Sequence, residues 1–190
     1  MFADTDLDDA LTTLGELLTD QGESYDLIVI GGGALLLQGL IERPTEDLDV
    51  VARLEGDTWL SAKPFPDILT ALVIEVADAL DLARNWLNHG PAELLMRAGL
   101  PDGFIERLEK RTYGSLTVRF AAREDQIAFK LDAAADHLPD ESKHLMDLRR
   151  LAPSGAELQE ARAWCAAHRG AQRQHDLDEV IAICLGLFDD

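Results

Sequence analysis

The chain reads as an α+β protein: a small mixed sheet flanked by helices, followed by a helical C-terminal part. Three observations predict this. Residues 7–18 carry Leu7, Leu11, Leu14, Leu17 and Leu18 at helical spacing behind an Asp4/Thr5/Asp6 cap cluster. Two β-branched runs, 25–30 (YDLIVI) and 47–52 (DLDVVA), are separated by three glycines and an apolar ALLLQGL segment. Nearly everything after Glu124 has helical character, punctuated by Pro139 and Pro153.

Taken in order, the first helix breaks at 21–24, and the run 25–30 ends in Gly31–Gly33 as a buried strand would. The segment 34–40 lacks β-branched residues and reads as a short helix. Pro44 interrupts, and 47–52 reads as a second strand. After KPFPD, residues 68–82 form a long helical pattern with Ile68, Leu72, Val76 and Leu80 on one face. It stops near WLNHGP, and 92–100 and 104–108 read as short helices. Residues 111–121 alternate, with Leu116, Val118 and Phe120 on one face, and read as one strand. The remaining helices are expected at 124–137, 140–151, 154–168 and 175–187. The expected division is a core at 1–123 and a helical part at 124–190 packed on it.

Composition narrows the function. The 190 residues hold 17 Lys+Arg against 36 Asp+Glu, a formal charge of −19, with 47% hydrophobic content. That is a globular composition with ample length for a core. Residues 1–42 contain no Lys or Arg, while thirteen of the seventeen basic residues lie at or after Arg97. Phosphate contacts need clustered cations, so the charge argues against a general nucleic-acid coat. The longest apolar run, about eleven residues from Leu27, is far short of the ~20 that span a bilayer. Acids near the N-terminus stand where a secretory signal would be basic, so the expected location is cytoplasmic, away from any membrane. Cys165 and Cys184 read as core thiols. The five histidines show no ligand spacing and read as surface or capping groups. Trp59, Trp86 and Trp164 read as core residues.

The chemistry concentrates in YDLIVIGGGALLLQGLIERPTEDLDVV. On a strand, Asp47 and Asp49 project to one side while Leu48 and Val50 project to the other. Two neighbouring carboxylates repel, and a divalent cation is the natural partner of such a pair. Gly31–Gly33, at a strand end and a helix start, lack the side chains that would keep a phosphate from backbone N–H groups. Arg43 and Thr45 add a cation and a hydroxyl just ahead of the carboxylates. The spacing is neither GxGxxG nor a P-loop. Tight-turn glycines and a solvated Asp-x-Asp are the plainer accounts of each part alone.

The string GGGALLLQGLIERPTEDLDVV resembles the signature of the DNA polymerase β-like nucleotidyltransferase superfamily, a glycine turn followed by a strand bearing Asp-x-Asp. More narrowly it is similar to the AbiEii/MenT-type bacterial branch, whose Arg-x-Thr-x-Asp-hydrophobic-Asp loop is matched by Arg43, Thr45, Asp47, Leu48 and Asp49. AFKLDAAADHLPDESKHLMDLRRLAP resembles that branch's helical motif, with Lys130, Lys143 and Asp147 in its lysine, lysine and acid positions. Related proteins also show a WLN segment, as at 86–88. The resemblance covers about residues 25–150. It departs at Lys143-His144, where relatives commonly have Lys-Asp, and at His137, where they have Arg. The expected third strand carboxylate has no counterpart in RTYGSLTVRFAAREDQ, where Glu124 and Asp125 fall beyond the strand.

The resemblance implies a nucleotidyltransferase-type sheet and transfer of a nucleoside monophosphate from an NTP. Asp47 and Asp49 would hold Mg2+ (or Mn2+), Gly31, Gly32, Arg43, Thr45 and Lys143 would bind nucleotide, Lys130 would stabilise phosphate charge, and Asp147 would orient a lysine or make a secondary contact. The acceptor would be RNA, disfavoured by charge, or a protein. A protein partner or cognate antitoxin would make the chain one half of a toxin–antitoxin pair. The alternative is a fold that has lost catalysis and acts as a binding or regulatory partner. From spacing alone, Lys143 and Asp147, four apart on a helix, read equally well as an exposed salt bridge.

Overall fold

The computed structural model describes residues 4–93, 99–170 and 174–187. It divides into two compact units, Met1–Ala121 and Ala122–Asp190. The class is α+β, with a mixed sheet in the first unit and helices in the second. Among the described residues no helix is long and apolar enough to cross a membrane.

In the first unit, α1 (Asp4–Gln21) leads into β1 (Tyr25–Ile30) and α2 (Gly31–Leu37). Then come β2 (Leu48–Glu55), β3 (Thr58–Ser61), α3 (Asp67–Leu80) and β4 (Leu87–Asn88). A 3-10 turn (Ile105–Arg107) precedes β5 (Glu109–Tyr113) and β6 (Leu116–Phe120). The sheet order is β3-β2-β1-β6-β5, with β4 also on β2. β1 is central, antiparallel to β2 and parallel to β6. That explains why YDLIVI carries a continuous apolar run: its last four residues are buried.

Several elements differ from the sequence expectation. The strand expected at 111–121 is two, β5 and β6, folded back around Gly114 at φ +54°. β3 and the two-residue β4 are too short for an alternation signal. The helix expected at 34–40 starts earlier, so the glycines form its first turn. The helix expected at 92–100 falls largely on residues outside those described, and 104–108 is only a 3-10 turn.

The second unit consists of α4 (Arg123–Ala135), α5 (Lys143–Arg150), α6 (Gly155–His168) and α7 (Gln174–Cys184). Ser142 caps α5, and Ser154 with Glu157 forms a capping box on α6. Arg123 and Ser154 hold the Glu157 carboxyl at about 2, the backbone N–H of Ser154 contributing most.

α1 docks onto the β5–β6 hairpin through one close approach. A Cβ at Gly15 would stand 1.8 Å from the Tyr113 carbonyl oxygen, and Ser115 N–H donates to the Gly15 carbonyl at 3.3 Å. The Tyr113 hydroxyl donates to Asp8 Oδ1 at 2.7 Å. Burial, reinforced by Asp8, pushes that phenol up to about 12. Gly15→Ala is therefore expected to cost about 1–3 kcal/mol, the usual scale of overpacking, and to lower Tm accordingly. Gly155→Ala, whose added methyl meets nothing within 4 Å, is expected to leave Tm within about 2 °C.

Candidate functional site

Three successive glycines at the start of α2 receive the segment that carries the acids. Gly31, at φ +82°, has room for no side chain: a Cβ there would lie 2.8 Å from Asp49 Oδ2. A Cβ on Gly32 would lie 2.9 Å from Arg43 Nη2 and 3.2 Å from Thr45 Oγ1. One on Gly33 would lie 2.5 Å from the Asp47 carbonyl oxygen and 3.0 Å from Leu48 Cδ1. The glycines therefore let a loop and a strand pack directly on the helix start, which a tight turn alone does not require.

The strand register sets where Asp49 goes. β1 and β2 pair as Ile28 with Ala52, then Val29 with Val50 and Ile30 with Asp49, so Val51 is an extra residue on β2. Such a bulge re-aims the side chains beyond it. Asp49 thereby sits opposite Ile30, the residue before Gly31. Asp47 lies one residue ahead of β2 rather than within it. Both carboxylates are half-buried.

The loop is held from inside. Thr45, 4% exposed, donates its hydroxyl to the Asp47 carbonyl at 3.3 Å, and Arg43 Nη1 donates to the Pro44 carbonyl at 3.2 Å. Asn88, not assigned a role on sequence, donates Nδ2 to Asp47 Oδ2 at 3.3 Å; the WLN segment was the available signal. Two clefts of about 550 Å³ each share Asp47 in their walls. One is lined by Asp6, Glu46 and Asp81 besides Asp47; the other by Lys63, Arg84, His89 and the apolar Phe65, Val73 and Leu87.

Among the described residues no group of three or more His, Cys, Asp or Glu side chains is arranged to hold a metal. Two half-buried carboxylates nevertheless fit Mg2+, which is commonly held by one or two carboxylates and completes its octahedron with water and substrate phosphate.

The second unit holds the other sequence-assigned residues. Lys130 Nζ donates to Asp147 Oδ2 at 2.7 Å, with side chains 4% and 0% exposed. Asp147 thus pairs with a lysine on α4, and Lys143 is exposed in the first turn of α5. His144 is half-buried beside this pair. Burial first, then the charges of Lys130, His137 and Lys143, holds its imidazole down at about 4 against the pull of Asp147. A further cluster was not foreseen. Arg169 donates to Asp132 Oδ1, to Asp136 Oδ1 at 2.9 Å and to the Asp132 carbonyl, with His168 Nε2 3.1 Å from Asp132 Oδ1. Burial pulls the guanidinium down, but the two aspartates outweigh it and leave it above its usual range. Cys165 is buried, its Sγ 3.6 Å from the Ala128 carbonyl, and burial pushes the thiol well up, as expected of a core thiol.

A family model described as "Nucleotidyltransferase of unknown function (DUF6036)" matches residues 6–140, more than two thirds of the chain, and the protein belongs to that family. No curated protein and no solved structure matches. The matched span includes Gly31–Gly33, Arg43, Thr45, Asp47, Asp49 and Lys130.

Two outcomes follow from the second unit. Asp147→Ala leaves Lys130 buried without its carboxylate and is expected to cost about 3–5 kcal/mol in urea unfolding; removal of the exposed Arg84–Asp78 pair is expected to cost below about 1 kcal/mol. For His144, the folded value lies below the unfolded one of about 6.5. The unfolded chain therefore binds the extra proton between about pH 4 and 6.5, and stability falls as pH drops through that window. His144→Gln is expected to reduce the stability difference between pH 7 and pH 4.5 by on the order of 1–2 kcal/mol.

Proposed function

We propose that the protein is a Mg2+-dependent nucleotidyltransferase of the AbiEii/MenT type that transfers a nucleoside monophosphate from an NTP to a macromolecular acceptor, as one half of a toxin–antitoxin pair. The observation that carries this reading is the seating of Arg43, Thr45 and Asp49 on the Gly31–Gly32 helix start. Family membership supports nucleotidyl transfer in general.

In this reading Asp47 and Asp49 hold the cation. The metal, when bound, supplies charge neutralisation for the attacking and leaving oxygens of an in-line displacement at the α-phosphate. Arg43 contributes a guanidinium suited to bidentate phosphate contact. Gly31 and Gly32 keep the nucleotide-binding assignment of the resemblance and, lacking side chains, seat Asp49, Arg43 and Thr45 against the helix start. Thr45, with its hydroxyl engaged on the Asp47 carbonyl, shapes the loop. Lys130 and Lys143 keep the phosphate-binding assignments of the resemblance, and the 2.7 Å Lys130–Asp147 contact supports Asp147 as the acid that orients a lysine.

The charge distribution bears on the acceptor. One cleft beside Asp47 is lined with acids, and the other with Lys63, Arg84 and His89 over an apolar floor. With −19 overall, a protein acceptor or basic partner is favoured over RNA. The alternative, a non-catalytic binding or regulatory partner, draws on β6, which carries Thr117 and Arg119 and no acid; Arg119 is bound bidentately by Asp26 at 2.8 Å.

Labelled NTPs with Mg2+ and cell extract are expected to give label on a protein band. Asp49→Ala should reduce it by on the order of 100-fold or more, the scale of lost transition-state charge stabilisation. Mg2+-dependent NTP binding without any labelled acceptor would select the alternative. Binding unchanged in Asp49→Ala would overturn both.

A further inference from the structure

One strand position beside the two carboxylates carries an amide. β4 runs parallel to β2 with Leu87 opposite Leu48 and Asn88 opposite Asp49. Asn88 Nδ2 donates to Asp47 Oδ2 at 3.3 Å, so a single side chain adjoins one carboxylate by hydrogen bond and the other by register. Its orientation follows from the backbone. Gly90 N–H donates to Asn88 Oδ1 at 2.7 Å, which leaves the NH2 end for Asp47. A Cβ at Gly90 would stand 3.0 Å from that oxygen, so the absence of a side chain there keeps the amide in place.

β4 itself is anchored on both sides. Trp86, fully buried, donates Nε1 to the Val73 carbonyl at 3.0 Å, and its own carbonyl accepts from Leu48 N–H at 2.6 Å. These bonds tie a two-residue strand to α3 and to the start of β2. The amide is therefore presented by rigid backbone.

We infer that Asn88 is a positioning residue of the metal site, an inference that rests on the nucleotidyltransferase reading. Its donated hydrogen bond occupies one acceptor site of Asp47, fixes that carboxylate's rotamer and leaves its remaining lone pairs for the cation. Being neutral, it adds no further negative charge beside Asp47 and Asp49. An aspartate at the same position would repel both in the absence of metal and offer the cation a further oxygen. The amide thus sets an affinity at which metal alone binds weakly and phosphate oxygens complete the shell.

The test uses the full chain with Mn2+ alone, binding followed by electron paramagnetic resonance and Tm measured in parallel. Asn88→Ala is expected to weaken Mn2+ binding about tenfold, the scale of losing a group that orients a metal ligand. Asn88→Asp is expected to lower Tm without metal, to tighten Mn2+ binding about tenfold, and to show a larger Mn2+-induced rise in Tm than the wild type. A role in fold stability alone would lower Tm in both variants without the gain for Asn88→Asp. If Asn88→Ala does not fold, the isosteric Asn88→Asp decides. Wild-type Mn2+ affinity in the Asn88 variants, alongside lost binding in Asp49→Ala, would overturn the inference and leave the site reading standing. Absent wild-type binding, or binding indifferent to Asp49→Ala, would overturn that reading and the inference with it.

Discussion

The first unit depends on a backbone-to-backbone approach that only glycine permits. With 2.5 Å between a would-be Cβ at Gly33 and the Asp47 carbonyl oxygen, an alanine would displace the loop itself, because the obstacle is main chain and cannot rotate away. At Gly31 and Gly32 the obstacles are side-chain atoms of Asp49, Arg43 and Thr45. The three glycines thus close the fold and seat these polar side chains against the helix start. Glycine in a helix costs roughly 0.5–1 kcal/mol per residue relative to alanine, so three in one turn are a local disadvantage that the contact with β2 offsets.

The bulge at Val51 belongs to the same constraint. Without it, Ile30 would face Val50, and Asp49 would turn to the opposite side of the sheet, since a one-residue slip inverts every side chain. The buried pairing of Val29 with Val50 and the placement of Asp49 beside Gly31 are therefore two consequences of one register.

What was legible in the sequence follows from this physics. The glycines, Arg43, Thr45, Asp47 and Asp49 lie within twenty residues, and strand-to-helix order alone brings them near one another. The bulge was not legible, because an extra residue in a run of valines leaves no mark on an apolar pattern; simple alternation put Asp47 within the strand, whereas β2 begins at Leu48. Asn88 was hidden for another reason. It reaches Asp47 through a parallel pairing two residues long, below the length at which periodicity reads. The β5–β6 hairpin was read as a single strand because its reversal rests on Gly114 within an alternating run.

Charge in the second unit shows the same limit from the other side. Spacing offers Lys143 as the partner of Asp147, since four residues on a helix share a face. The fold instead uses Lys130, seventeen residues away, and buries both groups. An exposed pair would contribute a few tenths of a kcal/mol, while a buried one must recover a large desolvation cost through geometry. A chain at −19 that encloses Lys130 and Arg169 with aspartates has placed two of its few cations where orientation is fixed and solvent is excluded. For Arg169, with Asp132 and Asp136 on α4 both accepting from it, the account is structural: the guanidinium ties the residue after α6 to α4. Lys130 on α4 donates to Asp147 on α5 at 2.7 Å, with both side chains buried. The two cations thus do the same structural work, Arg169 tying the residue after α6 to α4 and Lys130 tying α4 to α5.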